Sequence, residues 1–449
     1  MILSVFGVLL LIIIVTSFFN IKIGAALYLA YAILVPMSDI TFGSFHIGDN
    51  VVRTIMLIAL LYDLKLKHHY KLSWKLLAPF IGYYAIELFL IFFQKETPSD
   101  WMYNSWRVSI MNTLFDGFII YNVISVYPKT ISIFRNTLII SILVAGLYGL
   151  FLTTTGGVNP YIMSIMMYKG TAEDVDSLLS YFSSTDRLFG RISSVFKHPM
   201  TFGFFIGLAF IYIFSIRKKI KKPLLVITLI ILAFDALFCG VRSCIGGLVI
   251  AVSAYLLLSR NIKIALTTLI FGLIAYNLIL QVPELSSYVS SIADIHGTKS
   301  LSGGSSIDMR LDQLNGCFDE IRDCPFIGKG YNWHRYYQTM YGDHPVILAF
   351  ESLIFVALCD NGFLGICIWI GLILLIIRSN HKIKLSDTAI ADSMLVYYIS
   401  YSCITGEYGY MHYFILFYIC LVFENLKDRS ILQNVNYKML HKRKISYHL

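Results

Sequence analysis

The sequence predicts an all-α polytopic membrane protein with about 12–14 transmembrane helices and one large loop outside the membrane. Three observations predict it. First, 57% of the 449 residues are hydrophobic and only 14% are charged, with a mean hydropathy of +0.70, whereas a soluble domain carries about 25% charged residues. Second, the apolar residues come in continuous runs, not in the alternating pattern of a transmembrane β-barrel. Third, the basic residues cluster at the ends of those runs on one side. A water-soluble enzyme and a disordered chain are both excluded.

Taken in order, spans read near 2–19, 23–38, 51–64, 76–93, 108–127, 136–154, 199–216, 223–240, 243–259, 263–281, 361–377, 389–405 and 411–424. The first segment has neither a basic leader nor a small-residue cleavage site, so it reads as the first span and not as a signal peptide. Lys65, Lys67, Lys71 and Lys75 form one basic run, and Arg217, Lys218, Lys219, Lys221 and Lys222 another. Arg260 with Lys263, then Arg378, Lys382 and Lys384, then Lys442, Arg443 and Lys444, repeat the pattern. Placed on the cytoplasmic side with Lys22, Lys129, Arg135 and the rest of the tail, they collect 23 of the 36 basic residues there. The net charge of +9 is then an inner excess that meets anionic lipid, not a nucleic-acid footprint.

The chain divides into N-terminal transmembrane helices (1–154), an outer loop (155–198), central transmembrane helices (199–281), a large outer loop with an interfacial helix (282–360), and C-terminal transmembrane helices with a basic cytoplasmic tail (361–449). The apolar run 345–359 is assigned to a helix lying in or dipping into the outer interface, since counting it as a span puts Arg378–Lys384 outside, and it leads through non-helical backbone at Asp360–Gly362 into the span at 361–377. The inner loops are short and carry no P-loop, which directs chemistry to the outer face without ATP.

On that face, arginines stand where the positive-inside bias disfavours them. Arg187 and Arg191 lie in Arg-Leu-Phe-Gly-Arg-Ile-Ser-Ser-Val-Phe-Lys-His-Pro, just before a span. Arg242 lies in a tight turn, Cys-Gly-Val-Arg-Ser-Cys, and Arg310 opens a helical stretch whose apolar residues recur at 311, 314, 318 and 321. Guanidinium groups bind phosphate oxygens in bidentate fashion, so Arg191, Arg242 and Arg310 are the candidates for a diphosphate. Arg187 is assigned to headgroup snorkelling. Glu351 is the one carboxylate in the run 345–359, a position costly for a charge unless paired or protonated, and is the candidate general base. His344, seven residues earlier, would share a face with it on a continuous helix and is the rival base. The Gly328-Lys-Gly330 segment reads either as an anion-binding backbone nest or as a plain turn. Tyr331, Trp333 and Tyr341 are candidate sugar-stacking aromatics, or else interface anchors.

The ordered set resembles the O-antigen ligase and O-antigen polymerase superfamily over roughly residues 187–365. Arg-Ile-Ser-Ser-Val-Phe-Lys-His-Pro is similar to its first arginine motif, and Arg242-Ser to its second. Arg310 followed by Pro-Phe-Ile-Gly-Lys-Gly-Tyr is similar to its large periplasmic loop, and Glu351-Ser-x9-Gly-x-x-Gly to its closing motif. In the ligase branch that motif opens with His; here it opens with Glu351, which favours the polymerase branch. The resemblance implies a C-type glycosyltransferase architecture (GT-C) in the bacterial inner membrane, with its site facing the periplasm and no cofactor or metal. It implies an undecaprenyl-diphosphate-linked oligosaccharide as donor, with membrane lipid and a chain-length regulator protein as partners. Arg191, Arg242 and Arg310 would hold the diphosphate, and Glu351 would take the acceptor hydroxyl's proton.

Other readings remain. A ligase would deliver the glycan to lipid A-core. A transporter or flippase would use span carboxylates, and Glu87, Asp116, Asp235 and Asp392 lie within or near spans. Asp39 and Asp49 would supply the base of a single-sugar transferase. Asp174-Val-Asp176 would be a metal pair, a reading given little weight without partner histidines. Most of the 8 cysteines read as small apolar packers. Cys317 and Cys324 would form a disulfide only if the helix between them broke near Pro325.

Overall fold

The computed structural model describes residues 2–35, 40–42, 45–47, 49–155, 158–169, 191–259, 281, 307–407 and 409–427. Arg187, Asp39, Asp174, Asp176, the expected span at 263–281 save residue 281, and the basic tail from 428 lie outside them, as does much of each long loop.

The described chain is mostly helical. We number the helices α1 (Ile2–Phe19), α2 (Ile21–Leu34), α3 (Asp49–Leu60), α4 (Ala78–Ile91), α5 (Ser99–Ile110), α6 (Asp116–Val126), α7 (Ile131–Thr154) and α8 (Pro160–Lys169). There follow α9 (Pro199–Ser215), α10 (Lys222–Phe238), α11 (Arg242–Ser259), α12 (Ile307–Glu320), α13 (Trp333–Tyr341), α14 (Leu353–Ile383), α15 (Thr388–Thr405) and α16 (Tyr410–Asn425). A small antiparallel hairpin pairs Ile40 with Ile47 and Phe42 with Phe45. Helix starts follow local chemistry. The Asn20 and Asp387 side chains accept backbone N–H groups of α2 and α15, and proline occupies the first turn of α4, α9 and α10.

Among the described residues, four helical stretches are long and apolar enough to cross a membrane: Ser99–Val126, Pro128–Thr154, Arg242–Ser259 and Leu353–Ile383. Shorter apolar helices cover Gly7–Phe19, Ile21–Leu34, Ala78–Ile91, Pro199–Ser215 and Tyr410–Asn425. Their outward faces are oily, with Leu11, Phe89, Leu147, Leu257 and Leu374 among the exposed side chains, the arrangement expected in lipid.

The helix ends sort by chemistry. At one end Lys22 lies over the Tyr127 ring, Tyr127 bonds Asp63, and Arg135 and Lys219 both reach Glu424. This end carries the basic clusters, so we call it inner. The outer end carries residues 191–198, the 239–242 turn, the 307–352 region and the α15–α16 turn. Between them, α16 runs through the middle of the bundle against α6, α7, α9 and α15, with every residue but His412 buried.

Two expectations are corrected. The run 345–359 is not one helix lying in the interface. Residues 344–352 form a turn in which His344 and Leu348 exchange backbone hydrogen bonds, and α14 starts at Leu353, capped by the Ser352 hydroxyl. His344 and Glu351 therefore share no helical face. The span read at 108–127 is likewise only the inner part of a helical run from Ser99, continuous through a wider turn at Met111–Phe115. The polar start of α5 hid it. That start belongs to the outer region, where Trp101 donates to the Asn332 carbonyl and Trp106 to that of Tyr84.

The break expected at 360–362 is present, inside α14: Gly362 has φ +61°. The bend frees backbone groups, and the 325–331 segment takes them up. The N–H groups of Phe363 and Leu364 donate to the carbonyls of Pro325 and Phe326, and those of Lys329 and Gly330 donate to Cys359 and Asp360. A Cβ on Gly362 would collide with the Pro325 carbonyl oxygen. Gly362→Ala should therefore destabilise by about 2–4 kcal/mol. Gly371→Ala, with nothing within 4 Å of its would-be Cβ, should do little, and thermal unfolding of the detergent-solubilised pair measures the difference.

Candidate functional site at the outer rim

Arg310 sits on the first turn of α12. Its guanidinium donates to the Glu351 carbonyl at 2.7 Å, to Glu351 Oε2 at 3.2 Å, to the Ile404 carbonyl at 3.3 Å and to Gln313 Oε1 at 3.3 Å. Two sequence candidates thus meet, and they tie the second outer loop to the end of α15. The Glu351 side chain is 37% exposed and that of Arg310 26%. The premise of a lone, buried carboxylate does not hold: Glu351 is half-buried, precedes the helix, and is paired.

Arg191 packs against the turn that leads to Arg242, at a second point of the rim. Ile192 N–H donates to Phe238 O, and a Cβ on Gly240 would lie 3.1 Å from Arg191 Cγ. Arg191 therefore lies along the 239–242 turn from which Arg242 opens α11. The intervening Ser-Ser of the motif is structural. Ser193 and Ser194 are fully buried, Asn159 donates to both, and the Ser194 hydroxyl donates to the Ala145 carbonyl. His198, at the cap of α9, is pushed down to about 4 by burial and then by Arg191 and Lys197, so it is neutral at physiological pH. α11 packs along α15 in the opposite sense, Gly247 against Tyr397 and Ser243 near Tyr401. This brings the Arg242 end of α11 beside the end of α15 that Arg310 holds.

The Gly-x-Gly segment is not an anion nest. The N–H groups of Gly328, Lys329, Gly330 and Tyr331 donate to Cys324 O, Cys359 O, Asp360 O and Gln94 Oε1. None of the four is left for a ligand. Gln94 completes the clasp, its Nε2 within 2.6–3.0 Å of Ile327 O, Asp360 O and Asn361 Oδ1. Of the aromatics, Tyr331 and Trp333 are buried core residues, while Tyr341 is 70% exposed.

His344 is spent on structure. Its Nδ1 accepts the N–H groups of Val346 and Ile347, and its Nε2 lies 3.1 Å from Glu320 Oε1. With Nδ1 accepting, Nε2 carries the proton, and no lone pair remains for a base. Cys317 and Cys324 are free thiols; the thiol partner of Cys317 is Cys359, across α12 and α14.

Several partnerships are not visible in the sequence. His334 on α13 is gripped by Asp360: its N–H donates to Oδ1 at 3.0 Å and its Nδ1 to Oδ2 at 2.8 Å. They stand 26 positions apart, so no local motif marks them. Asp116 is buried beside Arg53, 3.0 Å from Nε, with the Tyr28 hydroxyl donating to it and His412 at 3.5 Å. The same guanidinium reaches Asn50 and Asn112. Glu407 accepts the N–H groups of Gly409 and Met411. Burial raises its pKa, which those bonds and Arg335 counter. The charge of Asp116 within a span was a visible signal; its partner was not.

Of the other span carboxylates, Asp392 is held by Asn380 and His381. Asp235 is wedged against Gly146 and Gly149, with no hydrogen-bond partner for either oxygen among the described residues. No protein-family model matches this chain, and no curated protein matches it.

Proposed function

We propose that this protein is a polysaccharide polymerase that transfers an O-antigen or capsule repeat-unit glycan from an undecaprenyl-diphosphate donor to an acceptor sugar. The reaction takes place on the periplasmic face of the bacterial inner membrane, in a GT-C-type bundle of about 12–14 spans. The observation that carries the reading is Arg310 with Glu351 on the outer rim, at the α15 end beside the α11 turn that holds Arg191 and Arg242. Three guanidinium groups at the rim of a lipid-embedded bundle suit a lipid diphosphate, whose charge grows as the glycosyl bond breaks. Glu351 supplies the carboxylate at the acceptor end. Its identity, where a ligase has histidine, supports a polymerase over a ligase. Membrane lipid and a chain-length regulator are the implied partners, with no cofactor.

Purified protein in detergent should extend lipid-diphosphate oligosaccharide into a ladder of longer products. Movement of the lipid across a vesicle without new glycosidic bonds would establish a flippase instead. Glu351→Gln should lower the extension rate roughly 100- to 1000-fold, with the protein still inserted. Full product length in that variant would remove Glu351 from the site.

A further inference from the structure

The His334–Asp360 pair has the geometry of an oriented base, and His334 lies outside every sequence motif. Asp360 accepts from both the backbone N–H and Nδ1 of His334, so one carboxylate fixes the position, tautomer and tilt of the ring. With the proton on Nδ1, the lone pair of the neutral ring is on Nε2. That nitrogen is buried and has no hydrogen-bond partner among the described residues. An unpaired buried acceptor costs roughly 1–3 kcal/mol, and such orphans ask for a use. A nitrogen so oriented by a carboxylate is the arrangement that accepts protons in acyl- and group-transfer sites.

Phe350, the neighbour of Glu351, packs beside the His334 ring. Its ring is fully buried, with centroid distances of 6.0 Å to His334, 5.8 Å to Trp333 and 5.9 Å to His344. The backbone there is strained. Leu348 and Phe350 have φ +59° and +53°, a region that costs a bulky L-residue roughly 1–2 kcal/mol each. The 344–352 turn therefore holds an apolar ring against His334 at local cost, and its Glu351 meets Arg310.

We propose that His334, oriented by Asp360, is the proton acceptor for the incoming sugar hydroxyl, sheltered behind Phe350 until the 344–352 turn shifts. This rests on the glycan-transfer reading, moves the proton-acceptor role from Glu351 to His334, and leaves Glu351 to hold Arg310, so that Glu351→Gln acts through the arginine. The acceptor O–H gives its proton to Nε2, and its oxygen forms the new bond to the anomeric carbon. The old C–O bond breaks with its electron pair leaving on the lipid diphosphate, against the arginines. The imidazolium faces the Asp360 carboxylate until it releases the proton to water.

Two measurements on the full-length protein test it. The first is extension of lipid-diphosphate oligosaccharide by His334→Asn, which keeps a side-chain donor for Asp360 and removes Nε2. A fall in kcat of roughly 100- to 10,000-fold is expected. If the native protein extends and His334→Asn extends equally fast, the base assignment is overturned while the transfer reading stands. If the native protein makes no glycosidic bond, the transfer reading itself has failed. The second is acylation by diethylpyrocarbonate, mapped by mass spectrometry. His334 should be protected in the native protein and modified in Phe350→Gly, which removes the ring and suits the local φ. Protection of His334 in both would overturn the sheltering by Phe350.

Discussion

Arg310→Glu is expected to reduce glycan extension at least 100- to 1000-fold, and the exchanged pair Arg310→Glu with Glu351→Arg is expected not to restore it. The reasoning separates two jobs of one contact. As an ion pair, Arg310–Glu351 is partly exposed, and such pairs contribute roughly 0–1 kcal/mol. Swapping the charges can re-form that pair and keep α12 joined to the turn before α14. As part of a diphosphate clamp, the guanidinium has to sit on α12, where it also holds the Ile404 carbonyl. Moved to position 351 it loses that anchor and the neighbourhood of the 239–242 turn. Extension by the purified double variant, alongside its unfolding temperature, decides the matter. Recovery of both would make the pair structural only. Recovery of folding alone would assign Arg310 to the substrate.

Arg53→Met is expected to destabilise the protein by about 3–5 kcal/mol, because it leaves Asp116 as an uncompensated buried charge. Asp116 is 1% exposed and Arg53 8%, so water does not screen the loss. The Tyr28 hydroxyl and His412 also face that carboxylate, but neither brings a permanent positive charge. Removing both charges, Arg53→Met with Asp116→Leu, should restore most of the stability, since a buried pair and an apolar pair of similar size differ little. Denaturant titration of all three variants in one detergent closes the cycle. A loss below 1 kcal/mol in Arg53→Met would show that the charge is compensated elsewhere. The effect should appear in stability before activity, since the cluster joins α2, α3, α6 and α16 and holds none of the three candidate diphosphate ligands.

How far the sequence could be read follows the distance over which each feature is encoded. The helix carrying Arg310 was legible because its apolar period is local: 311, 314, 318 and 321 lie within α12 and one residue beyond. The break at 360–362 was legible because glycine and polar residues interrupt an oily run. The turn at 344–352 was not. Its residues are as apolar as a helix, and only the tertiary bonds of His344 to Glu320 and of Ser352 to the Cys403 carbonyl fix its shape. Gln94 shows the same limit. It reads as a boundary residue after a span, yet it clasps the 325–331 segment to the α14 kink. The candidate arginines were found by an argument about sidedness, and Glu351 by its isolation. The isolation was apparent only, since Arg310 lies 41 positions away along the chain and beside it in space.

The burial of α16 has a consequence for how the molecule is made. This helix is the last of those described, and its neighbours α6, α7, α9 and α15 all leave the ribosome before it. Until Tyr410–Asn425 arrives, the faces that will surround it are closed by lipid or by one another. Glu424, at its far end, arrives to find Arg135 and Lys219 already waiting, two inner cations whose shared counter-ion is synthesised long after them. Among the described helices, α16 is thus the last to be made, and it enters between neighbours synthesised before it. A chain stopped before Tyr410 would leave Arg135 and Lys219 without the Glu424 carboxylate that they share.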